Sequence, residues 1–354
     1  MSRLGMFALV GAVALAGCSK KDDKKEPAKA GSASDPKKVE HGKAEGKGTG
    51  GGEKTATGSK DGKEHSGKAP ADPKVIERGK YVANLGGCAA CHTPMGPTGP
   101  DMSKLFGGGL EMEEKLPDGS TFKWRTPNIT NHDTGIGKWS DDQVIAAIRE
   151  GALPDGRKVG PPMAVAFYNR ITDDDAKALV AYLRSVPPVD NKVEPIDNTK
   201  MAEMMGPIPK AKNEPVPDDP VGKGAYVASI MHCAMCHTPM TDKGPDMSRP
   251  FAGGMPFEMP PMFGTGVLYA ANITPDPETG IGKYSEDDIA KAVRSGVRID
   301  GSPILGPMSF YLPLWSNLSD DDAKALAAFL KSVPPVVNKV PASTFKPAGP
   351  PPAQ

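Results

Sequence analysis

The sequence Cys-x-x-Cys-His occurs twice in this chain, at Cys88-Ala89-Ala90-Cys91-His92 and at Cys233-Ala234-Met235-Cys236-His237. The second copy follows the first by 145 residues, and its surroundings repeat with it. Tyr81-Val82-Ala83 returns as Tyr226-Val227-Ala228, and Gly99-Pro100-Asp101-Met102-Ser103 as Gly244-Pro245-Asp246-Met247-Ser248. Further on, Asn128-Ile129-Thr130 returns as Asn272-Ile273-Thr274, and Thr134-Gly135-Ile136-Gly137-Lys138 as Thr279-Gly280-Ile281-Gly282-Lys283. Asp173-Asp174-Asp175-Ala176-Lys177-Ala178-Leu179 returns as Asp320-Asp321-Asp322-Ala323-Lys324-Ala325-Leu326. Two copies at so long a period mean tandem domains and not a solenoid. The expected boundaries are 73–193 and 218–340, with a Pro- and Lys-containing linker at 194–217 and a Pro-rich, extended tail at 341–354.

The segment before the repeats reads differently. Leu4 to Gly17 is an apolar run of 14 residues behind Arg3, shorter than the ~20 that a membrane span needs and laid out like a secretory signal peptide. It ends Leu15-Ala16-Gly17-Cys18, which resembles a bacterial lipobox. That resemblance implies cleavage of 1–17, lipidation of Cys18, and a place in the bacterial cell envelope with the folded domains in the periplasm. From Ser19 to Asp72 the chain has 13 Lys and no Leu, Ile, Met, Phe, Tyr or Trp. Nothing there can be buried, so 18–72 is expected to be a disordered tether with an r.m.s. reach of about 40 Å.

Within each repeat the pattern is mainly helical. Asp72-Pro73 has the form of a helix start. Ser140 precedes a segment with Val144, Ile145, Ala147 and Ile148 on one face, stopped by Gly151; its counterpart runs from Ser285 to Gly296. Thr172 and Ser319 cap the last helices, where Asp triplets suit the positive end of the helix dipole. Pro187-Pro188 and Pro334-Pro335 stop those helices. Phe106 to Arg125 is expected as a long Gly- and Pro-rich loop, a length that makes sense if it wraps something large. Aromatic residues are only 6% of the chain, so a cofactor would fill core volume that side chains leave open.

Cys-x-x-Cys-His is the attachment signal of c-type haem. Two thioether bonds hold the porphyrin edge and the adjacent His reaches the iron. Cys88, Cys91 and His92 form one expected site; Cys233, Cys236 and His237 form the other. A zinc ribbon wants its Cys pairs some ~15–20 residues apart, and 142 residues separate Cys91 from Cys233 in the numbering. Four thioethers and one lipid anchor at Cys18 account for all five cysteines. A second axial ligand closes the iron, and methionine raises its potential. Met95 and Met240 lie three residues after the proximal His, tethered on the wrong side of the ring; Met102 and Met247 lie ten residues after it. Met163 and Met308 each lie 71 residues after their His and each follows Gly-Pro, in Gly160-Pro161-Pro162-Met163 and Gly306-Pro307-Met308. They are the expected ligands, against the alternative of ordinary core methionines. His132 has no counterpart, and His232 abuts Cys233; neither is expected to bind iron. Trp124, Arg125, Trp139 and Tyr284 are candidates for hydrogen bonds to haem propionates or for plain core packing.

These motifs together resemble the haem domains of bacterial class I cytochromes c, and are similar above all to the cytochrome subunits of membrane-bound alcohol and gluconate dehydrogenases. The resemblance implies a mainly α chain with two tandem class I cytochrome c domains after the tether. It also implies two covalently attached haem c groups ligated by His92 with Met163 and His237 with Met308. Two departures stand out: those subunits usually carry three haem domains, and they end in a membrane helix instead of beginning with a lipidated tether.

The favoured function is a membrane-tethered electron carrier. Its partners would be a donor dehydrogenase or quinol oxidoreductase and an acceptor oxidase or soluble cytochrome. The zero formal charge argues against nucleic acid. The alternatives are a dihaem peroxidase-like enzyme, which needs an iron able to open, and an obligate electron-transfer subunit of a dehydrogenase complex.

Overall fold

The computed structural model describes residues 71–354 apart from 97–98, 116–120, 197, 199–200, 203–207, 209, 242–243, 262 and 349–354. The expected signal peptide, the lipidated Cys18 and nearly all of the tether lie outside the described residues.

Each half opens with a helix, Pro73–Leu85 in the first and Pro220–Ile230 in the second. In both, an Asp side chain accepts from a first-turn amide and Pro takes the first helical position, where its missing N–H costs nothing. The haem-motif cysteines then wind into one short helix, Cys88–His92 or Cys233–His237. A middle helix follows much later, Asp141–Glu150 or Glu286–Ser295. Each begins in a capping box set by Ser140 or Ser285 and ends at a left-handed glycine, Gly151 or Gly296. A further helix carries the late methionine region, Val165–Tyr168 or Pro307–Trp315. The closing helices are Asp173–Ser185 and Asp320–Ser332, capped by Thr172 and Ser319. The starts at Asp72, Ser140, Thr172, Ser285 and Ser319, and the stops at Gly151, Gly296 and before the two proline pairs, fall where the sequence pattern puts them.

The opening and closing helices of each half cross at a glycine. A Cβ on Gly79 would stand 1.9 Å from the Ala178 carbonyl oxygen, and one on Gly224 would stand 1.9 Å from that of Ala325. Arg78 grips Asp175 with two bonds of 2.6 and 2.7 Å beside the first crossing. Val82, Leu179, Val180 and Leu183 form a small core in the first half. A larger core runs from Leu85 and Tyr168 of the first half to Tyr226, Trp315 and Leu326 of the second without interruption.

Where the halves meet, two tyrosines are exchanged. The Tyr81 hydroxyl donates to Asp322 at 2.5 Å, and the Tyr226 hydroxyl donates to Asp175 at 2.5 Å. Asp322 also pairs with Lys223 at 3.0 Å, as Asp175 does with Arg78. The third Asp of each triplet thus holds both its own opening helix and the tyrosine of the other half. Burial first, and then the neighbouring carboxylate, push the Tyr81 phenol up to about 12 and Tyr226 higher still. Tyr226→Phe is expected to cost about 1.5–3 kcal/mol, the worth of a hydrogen bond to a charged group. Tyr81→Phe costs less, because its ring is more exposed. Urea unfolding of the two variants checks both the size and the order.

Two segments differ from expectation, and the extended tail adds a strand pairing. Within 106–125, Glu111–Lys115 and Thr121–Arg125 pair as an antiparallel hairpin, with Met112 opposite Trp124. The Thr-Phe-Lys-Trp-Arg alternation supplies a strand with one apolar face, which buries Trp124. The segment read as a linker runs along the first half. There the Lys212 carbonyl accepts from Arg149 at 3.2 Å, Asn213 accepts from the Asp173 amide at 3.0 Å, and Val216 packs on the larger core. The tail is extended, and Lys346–Pro347 pairs back onto Gly264–Thr265.

Candidate haem sites

Each site is built around one buried imidazole. His92 is 7% exposed and its Nδ1 lies 3.0 Å from the Pro127 carbonyl oxygen; His237 is 8% exposed, with Nδ1 2.8 Å from that of Ala271. A carbonyl can only accept, so Nδ1 carries the proton. Burial lowers both pKa values against the opposing effect of these hydrogen bonds. The rings are therefore neutral, with the Nε2 lone pair left to bind a metal. Fixing the tautomer from the far nitrogen is the usual way a protein prepares a histidine ligand.

The carbonyl that holds the ring is itself pinned by the next residue. Asn128 Oδ1 accepts from the Thr130 amide and hydroxyl at 2.9 and 2.7 Å, while its Nδ2 donates to the Val189 carbonyl at 2.8 Å and to Thr134 at 3.1 Å. Asn272 repeats the arrangement with Thr274, Val336 and Thr279. The Asn-Ile-Thr repeats, which also match a glycosylation sequon, are thus buried loop structure beside the histidines. Close approach requires glycine here: Gly108, at φ 72°, lies so near the 127–128 peptide that a Cβ would fall 2.4 Å from it. Gly108 N–H also donates to the His92 carbonyl at 2.8 Å, as Gly253 does to His237 at 2.7 Å.

Cys88, Cys91, Cys233 and Cys236 are all half-buried and form no disulfide. Burial pushes the Cys88 and Cys233 thiols up to about 12. They are neutral sulfurs, unlike the low-pKa thiolates of redox or nucleophilic sites. Among the described residues no group of three or more His, Cys, Asp or Glu could hold a metal ion.

Met163 and Met308 are half-buried and pack on the larger core. Met163 lies two residues before the start of the helix Val165–Tyr168, and Met308 is the second residue of Pro307–Trp315. By contrast Met102 is 64% exposed, and Met240 and Met247 are exposed as well. His132 bonds to Thr134 at the surface. His232 is buried among aromatic rings, and burial takes its pKa down to about 4. The Arg125 guanidinium is held by Glu111 and the Glu194 carbonyl. Sequence reasoning missed the Pro127 and Ala271 carbonyls, because a backbone acceptor leaves no residue signature; the repeated Asn beside each is the visible trace.

A neutral imidazole with a free Nε2, next to two unbridged thiols on a short helical turn, is the donor set of a covalently held haem. Its presence twice on a helical scaffold defines a dihaem c-type cytochrome. The cytochrome c family model matches residues 76–187 and 221–334, and the chain belongs to that family, with two cytochrome c domains and two covalently bound haem c groups. It is 34% identical over 292 residues to the cytochrome c subunit of a quinone-dependent alcohol dehydrogenase from Gluconacetobacter polyoxogenes, across 75% of this chain and 57% of that one. It is 31% identical to a gluconate 2-dehydrogenase cytochrome c subunit from Pantoea cypripedii, across 74% of this chain and 60% of that one. A dihaem c-type cytochrome from Cereibacter sphaeroides is 32% identical, with 73% of this chain and 86% of that one covered. The chain therefore spans less than two thirds of the length of the dehydrogenase subunits it matches.

Proposed function

We propose that this protein carries single electrons between respiratory partners in the periplasm, tethered to a membrane through a lipid on Cys18. The observation that carries the reading is the repeated pairing of a buried imidazole, oriented through its Nδ1, with two cysteines that form no disulfide. In each domain the cysteines, Cys88 with Cys91 and Cys233 with Cys236, make the thioethers. His92 with Met163, and His237 with Met308, would hold the iron. Bound haem supplies a one-electron ferrous–ferric couple. The chain keeps each imidazole in one tautomer through Pro127 or Ala271.

The names of the relatives favour a dehydrogenase as donor, with this chain as its partner or subunit; an oxidase or soluble cytochrome would accept. Among the described residues no helix is long and apolar enough to cross a membrane.

The test is a spectroscopic redox titration of the full haem-loaded chain and of Met163→Leu and Met308→Leu. Each substitution is expected to remove one sulfur–iron absorption signature and lower one midpoint by roughly 0.1 V, within the ~0.8 V that axial ligands command. Retention of both signatures in either variant refutes that ligand. Fast carbon monoxide binding at one haem of the unmodified protein would instead support the peroxidase-like enzyme.

A further inference from the structure

The two haem-attachment turns are joined by a cluster of aromatic rings. Tyr311 lies on the helix Pro307–Trp315, three residues after Met308. Its ring crosses to the first domain and covers Gly87, where an added Cβ would fall 2.3 Å from the ring edge. Gly87 caps the Cys88–His92 helix at φ 65°, so both its backbone and its neighbour exclude a side chain. On another side the Tyr311 ring meets His232 edge-on, with centroids 5.4 Å apart and planes at 72°. His232 is the residue before Cys233 and caps the second attachment helix. Tyr311 also stacks on Trp315 at 5.0 Å and 14°, and the Trp315 indole N–H donates to the Leu85 carbonyl at 3.1 Å. Tyr168 completes the cluster, edge-on to His232 at 6.1 Å and donating to the Gly86 carbonyl at 2.6 Å.

The duplication shows that this contact is specific. Within the frame set by Cys88 and Cys233, His232 stands where the first domain has Gly87. Within the frame set by Tyr168 and Trp315, Tyr311 stands where the first domain has Ala164. Both large residues come from the second domain, and Tyr311 seats on the small one opposite. Burial, with the cysteines Cys91, Cys236 and Cys88 nearby, holds the Tyr311 phenol well above its ordinary range, and its hydroxyl is bonded to Cys91. Tyr311 therefore keeps its proton.

We propose that Tyr311 is the positioning residue that couples the two haem sites: carried one turn beyond Met308 and seated on the Gly87–Cys88 turn, it fixes the separation across which they exchange electrons. The inference rests on the electron-carrier reading. The exchange moves one electron from the reduced site to the oxidised one. No proton moves, and Tyr311 is neither oxidised nor deprotonated; its ring is a rigid spacer.

The test uses the full haem-loaded chain, reduced by less than one equivalent with a one-electron photoreductant, and follows redistribution between the haems. Haem content and the sulfur–iron signatures are measured on every sample. Tyr311→Phe keeps the ring and is expected to exchange at the native rate. Tyr311→Leu is expected to slow exchange by about tenfold or more, as small misplacements do at reacting centres. Tyr311→Met serves the same purpose should Leu fail to load haem. Phe310→Leu, on the same helix but packed on Phe263, is expected to change nothing. Native exchange in Tyr311→Leu or Tyr311→Met, with both signatures intact, overturns the inference. An equal fall in Tyr311→Phe also overturns it, by moving the role from the ring to the hydroxyl. If the native haems cannot be reduced by a one-electron donor at all, the carrier reading fails instead, and the two failures are distinct.

Discussion

Gly79→Ala and Gly224→Ala are each expected to destabilise the haem-loaded protein by about 3 kcal/mol, at the upper end of what overpacking costs. Intrinsic preference alone says the opposite, since Ala is favoured over Gly inside a helix by about 1 kcal/mol. The crossing decides the sign. Each new Cβ would stand 1.9 Å from a carbonyl oxygen of the closing helix, and under 3 Å from the Cβ of Tyr182 or Phe329. Backbone cannot rotate aside as a side chain can, so the two helices must separate. Separation loosens the Arg78–Asp175 pair in the first domain and Lys223–Asp322 in the second. Those carboxylates also receive Tyr226 and Tyr81, so the effect extends to the domain interface. Against a typical total stability of about 5–15 kcal/mol, either change is large. Chemical denaturation of the two variants measures it, and a variant as stable as the parent would show that the helices do not cross this closely.

The helix ends were readable because caps are local. Ser140, Thr172, Ser285 and Ser319 each accept from an amide three residues on, and that chemistry is visible in a few consecutive residues. The attachment turns were readable for the same reason: Cys88, Cys91 and His92 act together because they are adjacent on one helix. What the pattern does not carry is contact between distant segments. Asp175 and Asp322 look like helix-capping charges, and they sit in first turns as expected. Their second partners, Tyr226 and Tyr81, come from the other domain, and no spacing rule links residues 51 and 241 positions apart. The hairpin at 111–125 was hidden by the glycines and prolines around it, which read as loop. At the candidate sites, Met102 and Met247 are exposed while Met163 and Met308 are half-buried, a difference in placement that equal spacing in both repeats does not carry.

Replacing Cys88 and Cys91 together by Ser is expected to leave one covalent haem per chain instead of two, counted by the absorption of the haem–pyridine complex and by haem staining on a denaturing gel. Serine keeps the size of the side chain but cannot form a thioether. The loss should reach beyond the cofactor. The Cys88–His92 helix has five residues, too short to persist without tertiary support, and its His92 would retain a buried Nε2 without a partner, which costs about 1–3 kcal/mol. The first domain's own core is small and depends on Val82, Phe106, Val144, Leu179 and their neighbours, so it has little reserve once the haem is gone. The second domain shares the larger core with Leu85, Tyr168 and Ile171 of the first. It should therefore keep its haem but unfold at lower denaturant concentration than in the parent, although none of its own residues has changed. Cys233→Ser with Cys236→Ser should produce the mirror result, with the haem retained at His92. Two haems in either double variant would refute the thioether assignment, and a second domain with unchanged stability would show that the shared core does not couple the two.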